Sequence, residues 1–150
     1  MKPAEKNLVL LFVRVVLGAV FFYAALAKIP NMELFAEETA NYRLLPAAWI
    51  PFFAVSLAGV EILAGAMLVA GVLVRPATIV TAGLLVAFII ALSQALLRGI
   101  NLSCGCFGGA ELASWQTVGR DLVMLAACGT LLKWGHGTWR LRNKAPYSGA

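Results

Sequence analysis

Four apolar segments, at residues 8–28, 52–74, 77–97 and 117–134, account for most of this 150-residue chain. Each is about 18 to 23 residues long, the length an α-helix needs to cross roughly 30 Å of hydrocarbon. A soluble domain would have to bury all four in one core, and a chain this short has too little interior for that. With 61% of residues hydrophobic and 13% charged, the apolar excess must face acyl chains. The expected fold is an all-α integral membrane protein, a four-transmembrane-helix bundle in a single domain over residues 1–150. No internal repeat, low-complexity tract or domain boundary interrupts it.

The first segment also has the layout of a signal peptide: Lys2, Lys6 and Arg14 as basic flank, Val15 to Ala27 as apolar stretch, and Ala-Leu-Ala at its end. The apolar run continues on both sides of Arg14, however, which makes a full span, so a retained helix is expected. Residues 30–51, "PNMELFAEETANYRLLPAAWIP", carry too much charge to cross. Met32, Leu34, Phe35, Ala36, Tyr42 and Leu44, interleaved with Glu33, Glu37, Glu38 and Arg43, suit a short interfacial helix between Pro30 and Pro46. A solvated connector anchored by Trp49 is the alternative.

Basic residues on short loops orient a bundle. Lys2, Lys6, Arg75, Arg140, Arg142 and Lys144 fall on one side of four spans, and Lys28, Arg43 and Arg98 on the other. Both termini and the "VRPA" turn after the second span are therefore expected in the cytoplasm, and the loop between the third and fourth spans outside. The net charge of +5 rests on anionic lipid in this reading. No basic and aromatic groove pattern points to nucleic acid.

That outer loop contains "CGCFGG", residues 104–109. Disulfides persist on the extracytoplasmic side of a membrane. Bridged cysteines place their Cα atoms about 4.4 to 6.8 Å apart, which neighbours separated by one residue reach only in a turn. Gly105 permits one. A bridge closing so small a loop would be strained and easily exchanged, and it would stabilise little. Cys104 and Cys106 thus read as a redox pair, with Gly105, Phe107 and Gly108 shaping the loop. A structural bridge and a metal site remain alternatives, the metal site lacking ligands because His136 lies at the other face. Cys128, well inside the fourth span, reads as a small buried hydrophobe.

Ionisable groups at membrane depth are costly and face the bundle interior or a polar cavity. Arg14, Gly18, Phe21, Ala25 and Lys28 fall on one stripe of the first helix. Glu61 lies near the middle of the second span with Ala58 and Gly65 on its face, so an intramembrane Arg14–Glu61 pair is expected, as a structural ion pair or a proton or quinone site, with Arg14 snorkelling toward the inner surface as the alternative. Lys28 and the Arg120–Asp121 pair fall toward the outer face, where a cation favours thiolate over thiol. Ser114 is the expected N-cap of the fourth helix.

"RVVLGAVFFYAALAKI", "FAEETANYRLLP", Glu61 with the "LAGAMLVAGVL" that follows, "CGCFGG" and "RDLVML" together resemble the DoxX-like membrane proteins, most closely their MauE branch, across residues 8–134. The resemblance implies a multi-pass protein of the bacterial inner membrane that acts with a thioredoxin-like extracytoplasmic partner. Its implied client is a periplasmic disulfide-containing protein, the small subunit of methylamine dehydrogenase. Cys104 and Cys106 match the family's Cys-Gly-Cys, Arg14, Lys28 and Glu61 its membrane charges, and Arg120 its fourth-helix basic position. Other family members are linked to quinone chemistry, which leaves quinone open as a cofactor although no motif identifies its pocket.

The expected function is extracytoplasmic thiol-disulfide exchange through the Cys-Gly-Cys loop in maturation of such a client. A non-catalytic assembly or chaperone subunit, a quinone-linked redox subunit and a small transporter built around Glu61 and Arg14 are the alternatives.

Overall fold

The computed structural model describes residues 3–99 and 114–134. Within them the chain forms five α-helices and no strand: α1 Pro3–Lys28, α2 Met32–Asn41, α3 Ile50–Ala70, α4 Val74–Leu97 and α5 Trp115–Trp134. Short 3-10 turns at Ile29–Asn31 and Ala47–Trp49 frame α2, each set by a proline that cannot continue the preceding hydrogen-bond ladder. Cys104, Gly105, Cys106, Phe107 and Gly108 lie outside the described residues.

One boundary differs from expectation. The turn placed at Val74–Ala77 instead occupies Gly71–Leu73, because Gly71 adopts φ +72°, a left-handed conformation that costs glycine little. The amides of Gly71 and Val72 both donate to the Met67 carbonyl, which caps α3. Pro76 then falls in the first turn of α4, where its missing N–H leaves no bond unmade.

The tight turn makes α4 antiparallel to α3. Helix α1 packs most closely on α3 and α4 on α5, while α3 also meets α4 and α1 meets α5, so the four long helices close a ring with α2 lying on α3. Leu10, Leu17, Phe21, Leu68, Val74, Ala77, Leu85, Cys128 and Leu131 fill its centre. The stripe Arg14, Gly18, Phe21, Ala25 and Lys28 is buried throughout, as its spacing predicts, and Ala58, Glu61 and Gly65 form the facing stripe on α3.

At the α1–α3 crossing the backbones nearly touch. A methyl group added at Gly65 would lie 2.7 Å from the Phe22 backbone nitrogen and 2.8 Å from the Gly18 carbonyl oxygen. Close approach of small residues is how helices associate where lipid removes the hydrophobic drive between them. The outward faces are apolar, with Phe12, Tyr23, Phe52 and Leu97 each more than 60% exposed. Three stretches, Ala4–Asn41, Ala47–Ala70 and Val74–Leu97, are long and apolar enough to cross a membrane, and no more than 33% of the apolar window in any of them is buried. Helix α5, which carries Arg120, Asp121 and Lys133, falls outside these three.

Candidate functional site

The end of the bundle where α1 stops gathers buried charge. Lys28, in the last turn of α1, is 2% exposed, and its ammonium donates to both oxygens of Glu61, at 2.8 Å to Oε1 and 2.7 Å to Oε2. The rings of Phe35 on α2 and Phe88 on α4 lie 4.8 and 5.2 Å from the same nitrogen, within cation–π range. Four helices therefore hold one ammonium.

The pairing corrects an expectation. Glu61 is bound by Lys28 and not by Arg14, and the reason is side-chain direction. Gly18 packs against Leu68 and Val69 and Phe22 against Gly65, so the two helices run antiparallel, with Glu61 one turn further along and roughly level with Ala25. Helical side chains lean toward their own N-terminus. Lys28 leans back along α1 and Glu61 leans toward the start of α3, so the two converge, whereas Arg14 leans the opposite way. Its guanidinium ends beside Gly71, where an added methyl group would lie 3.1 Å from Nη2, and its Nε is buried without a partner.

Arg120 and Asp121 adjoin the Lys28–Glu61 pair. The Nε and Nη2 atoms of Arg120 both lie 3.5 Å from Asp121 Oδ1, a long contact, with the arginine side chain 36% exposed and the carboxylate buried. Lys28, Glu61, Arg120 and Asp121 line one cavity of about 40 Å³, closed by Phe21, Leu85, Phe88 and Met124. The expectation that Lys28 and the Arg120–Asp121 pair share one end of the bundle therefore holds, and the segment joining α4 to α5 leaves and returns at this end. Ser114 stands at the cap position of α5, its carbonyl accepting from Thr117 and Val118.

The described part of this cavity, about 40 Å³, is about a quarter of the roughly 150 Å³ in which a benzene ring is accommodated. Cys128 is fully buried among core residues, as its apolar neighbours suggested. Sequence reasoning missed Phe35 and Phe88 as partners of Lys28. Phe35 was legible as part of the apolar face of α2, while Phe88 sits in a charge-free helix where nothing separates it from lipid-facing residues.

The family described as "Methylamine utilisation protein MauE" matches residues 6–133. A "Methylamine utilization protein MauE" of Paracoccus denitrificans is 37% identical over 122 residues, 79% of this chain and 66% of the relative. One of Paracoccus versutus is 35% identical over 113 residues, 73% of this chain and 61% of the relative, so the match spans just under two thirds of each relative's length. No solved structure matches the chain. The match to residues 6–133 covers every helix that builds the charged cavity, and the chain belongs to the MauE family.

Proposed function

We propose that this chain serves methylamine utilisation as a multi-pass inner-membrane protein whose Cys104–Gly105–Cys106 loop exchanges disulfides outside the cytoplasm. In this reading α5 is the fourth span, its charges turned into the cavity, and α2 lies at the outer interface with Phe35 over Lys28. Both termini are cytoplasmic.

The observation that carries the proposal is the convergence of Lys28, Glu61, Arg120 and Asp121 beneath the end at which the α4–α5 segment departs and returns. In this reading Cys104 and Cys106, which lie outside the described residues, work close to these cations. Arg120, 36% exposed, is the one a loop thiol can reach, since Lys28 is enclosed by its carboxylate and two rings. A neighbouring cation favours the thiolate, the form that attacks a disulfide.

The exchange balances without a further reagent. One thiolate of the pair attacks a disulfide of a thioredoxin-like partner, forming a mixed disulfide and releasing one partner thiolate. The second cysteine then displaces the other, leaving Cys104–Cys106 oxidised and the partner reduced by two electrons and two protons. The reverse direction, with the Cys104–Cys106 disulfide accepting electrons from a client dithiol, oxidises a periplasmic protein such as the methylamine dehydrogenase small subunit. No quinone is required.

Cys106→Ala and Cys104→Ala, expressed in cells growing on methylamine, test this. One of them is expected to accumulate a covalent adduct that disappears on reduction in a non-reducing gel, and the double Cys→Ser variant is expected to abolish growth on methylamine. Normal growth of the double variant, with no adduct from either single variant, would leave the loop as a structural docking element of an assembly subunit.

A further inference from the structure

Arg14 is left without an acidic partner at the opposite end of the bundle. It is 9% exposed, its Nε is buried and unbonded, and no ion pair or hydrogen bond among the described residues reaches it. An unpaired arginine held inside a membrane protein is costly and marks a site where an anion belongs.

Among the described residues no carboxylate pairs with it. Of the described acidic residues, Glu33, Glu37 and Glu38 lie on α2 at the other end, Glu61 binds Lys28 and Asp121 binds Arg120. Glu5 already makes an interaction of its own.

The site is shaped as well as charged. Gly71 turns the chain at the end of α3, and the Arg14 guanidinium lies flat against it, with Nη2, Nη1 and Cζ between 3.1 and 3.3 Å from where a side-chain carbon would stand. The guanidinium therefore sits level with the α3–α4 turn, where α3 ends and α4 begins. Lys6, Arg75 and Lys133 populate the same end. A planar guanidinium offers two parallel N–H donors that match two oxygens of one phosphate.

We propose that Arg14, its guanidinium seated in the notch that Gly71 leaves beside the α3–α4 turn, binds the phosphodiester of an anionic phospholipid of the inner leaflet, a placement that rests on the topology proposed above. The lipid completes the charge balance of this end as Glu61 does for Lys28. The surrounding basic residues draw anionic lipid to the leaflet, and Arg14 retains one molecule of it.

The full chain in nanodiscs provides the test. Native mass spectrometry after transfer from phosphatidylcholine containing phosphatidylglycerol should find one tightly retained phosphatidylglycerol. Arg14→Gln should lose it, and Arg14→Lys, which keeps the charge without the fork, should weaken retention roughly tenfold or more. Gly71→Ala crowds the guanidinium and should also reduce retention, which keeps the test informative if Arg14→Gln folds poorly. Lys133→Gln removes a charge from the same end and should leave the count unchanged. Equal retention by wild type and both Arg14 variants would overturn the proposal, as would an equal loss in Lys133→Gln, which would indicate general leaflet attraction. Displacement of the retained phosphatidylglycerol by added inorganic phosphate would overturn the lipid as source.

Discussion

At one end of the bundle Lys28 and Glu61 neutralise each other at 2.7 Å, with Arg120 and Asp121 a second pair against the same cavity; at the other, Arg14 rests on Gly71 with no carboxylate paired to it among the described residues. Both cations occupy the same stripe of α1, and both are buried. The contrast shows that a membrane protein can satisfy a buried charge internally or leave it for something outside the chain, and that helix polarity decides between them. Antiparallel packing points Lys28 and Glu61 toward each other and Arg14 away.

Removing the carboxylate should make the paired end resemble the unpaired one, at the largest cost. Glu61→Gln leaves a fully enclosed ammonium without its counter-charge, and a loss of about 3–5 kcal/mol is expected, read from thermal or denaturant unfolding in detergent. The double variant Lys28→Met with Glu61→Leu should recover most of it, because two apolar side chains carry no desolvation penalty. If Glu61→Gln is as stable as wild type, the pair does not hold α1 to α3.

The next effect separates the crossing from the pair it positions. Gly65→Ala introduces a carbon 2.7 Å from the Phe22 backbone and should destabilise by about 1–3 kcal/mol as the helices part. Gly83→Ala meets nothing within 4 Å on α4 and should be neutral or stabilising by up to about 1 kcal/mol. Similar losses for the two would show that the close approach is not what sets the α1–α3 register.

The smallest expected effect is at the second pair. Asp121→Asn removes a contact of 3.5 Å to a partly exposed arginine, and an unfolding change under about 1 kcal/mol is expected. If loop chemistry depends on Arg120, Arg120→Gln should slow alkylation of Cys104 and Cys106 near neutral pH while Asp121→Asn does not. Equal slowing by both would indicate displacement of the helix start and not loss of the cation.

Much of this was legible in the order of residues. The apolar lengths marked the long helices, and the spacing of Arg14, Gly18, Phe21, Ala25 and Lys28 marked the buried face of α1, because period and hydropathy are local properties. Lys28 and the Arg120–Asp121 pair were placed at one end by counting spans. The turn before α4 was misplaced by three residues, since Pro76 is the stronger turn signal in sequence while Gly71 is the residue able to adopt the required left-handed backbone.

Which charges meet was not legible. Glu61 has a cation on either side of it along α1, and hydropathy treats the two alike. Only the tertiary structure chooses, through the Gly18–Gly65 crossing that sets the helix register and the lean of each side chain toward its own N-terminus. The sequence by itself determined that this chain is helical, that its outer faces are apolar and that one stripe of α1 carries buried cations. The fold decided that Lys28 takes Glu61 and that Arg14 does not, because a pairing between helices depends on their relative height and direction, which no local pattern encodes.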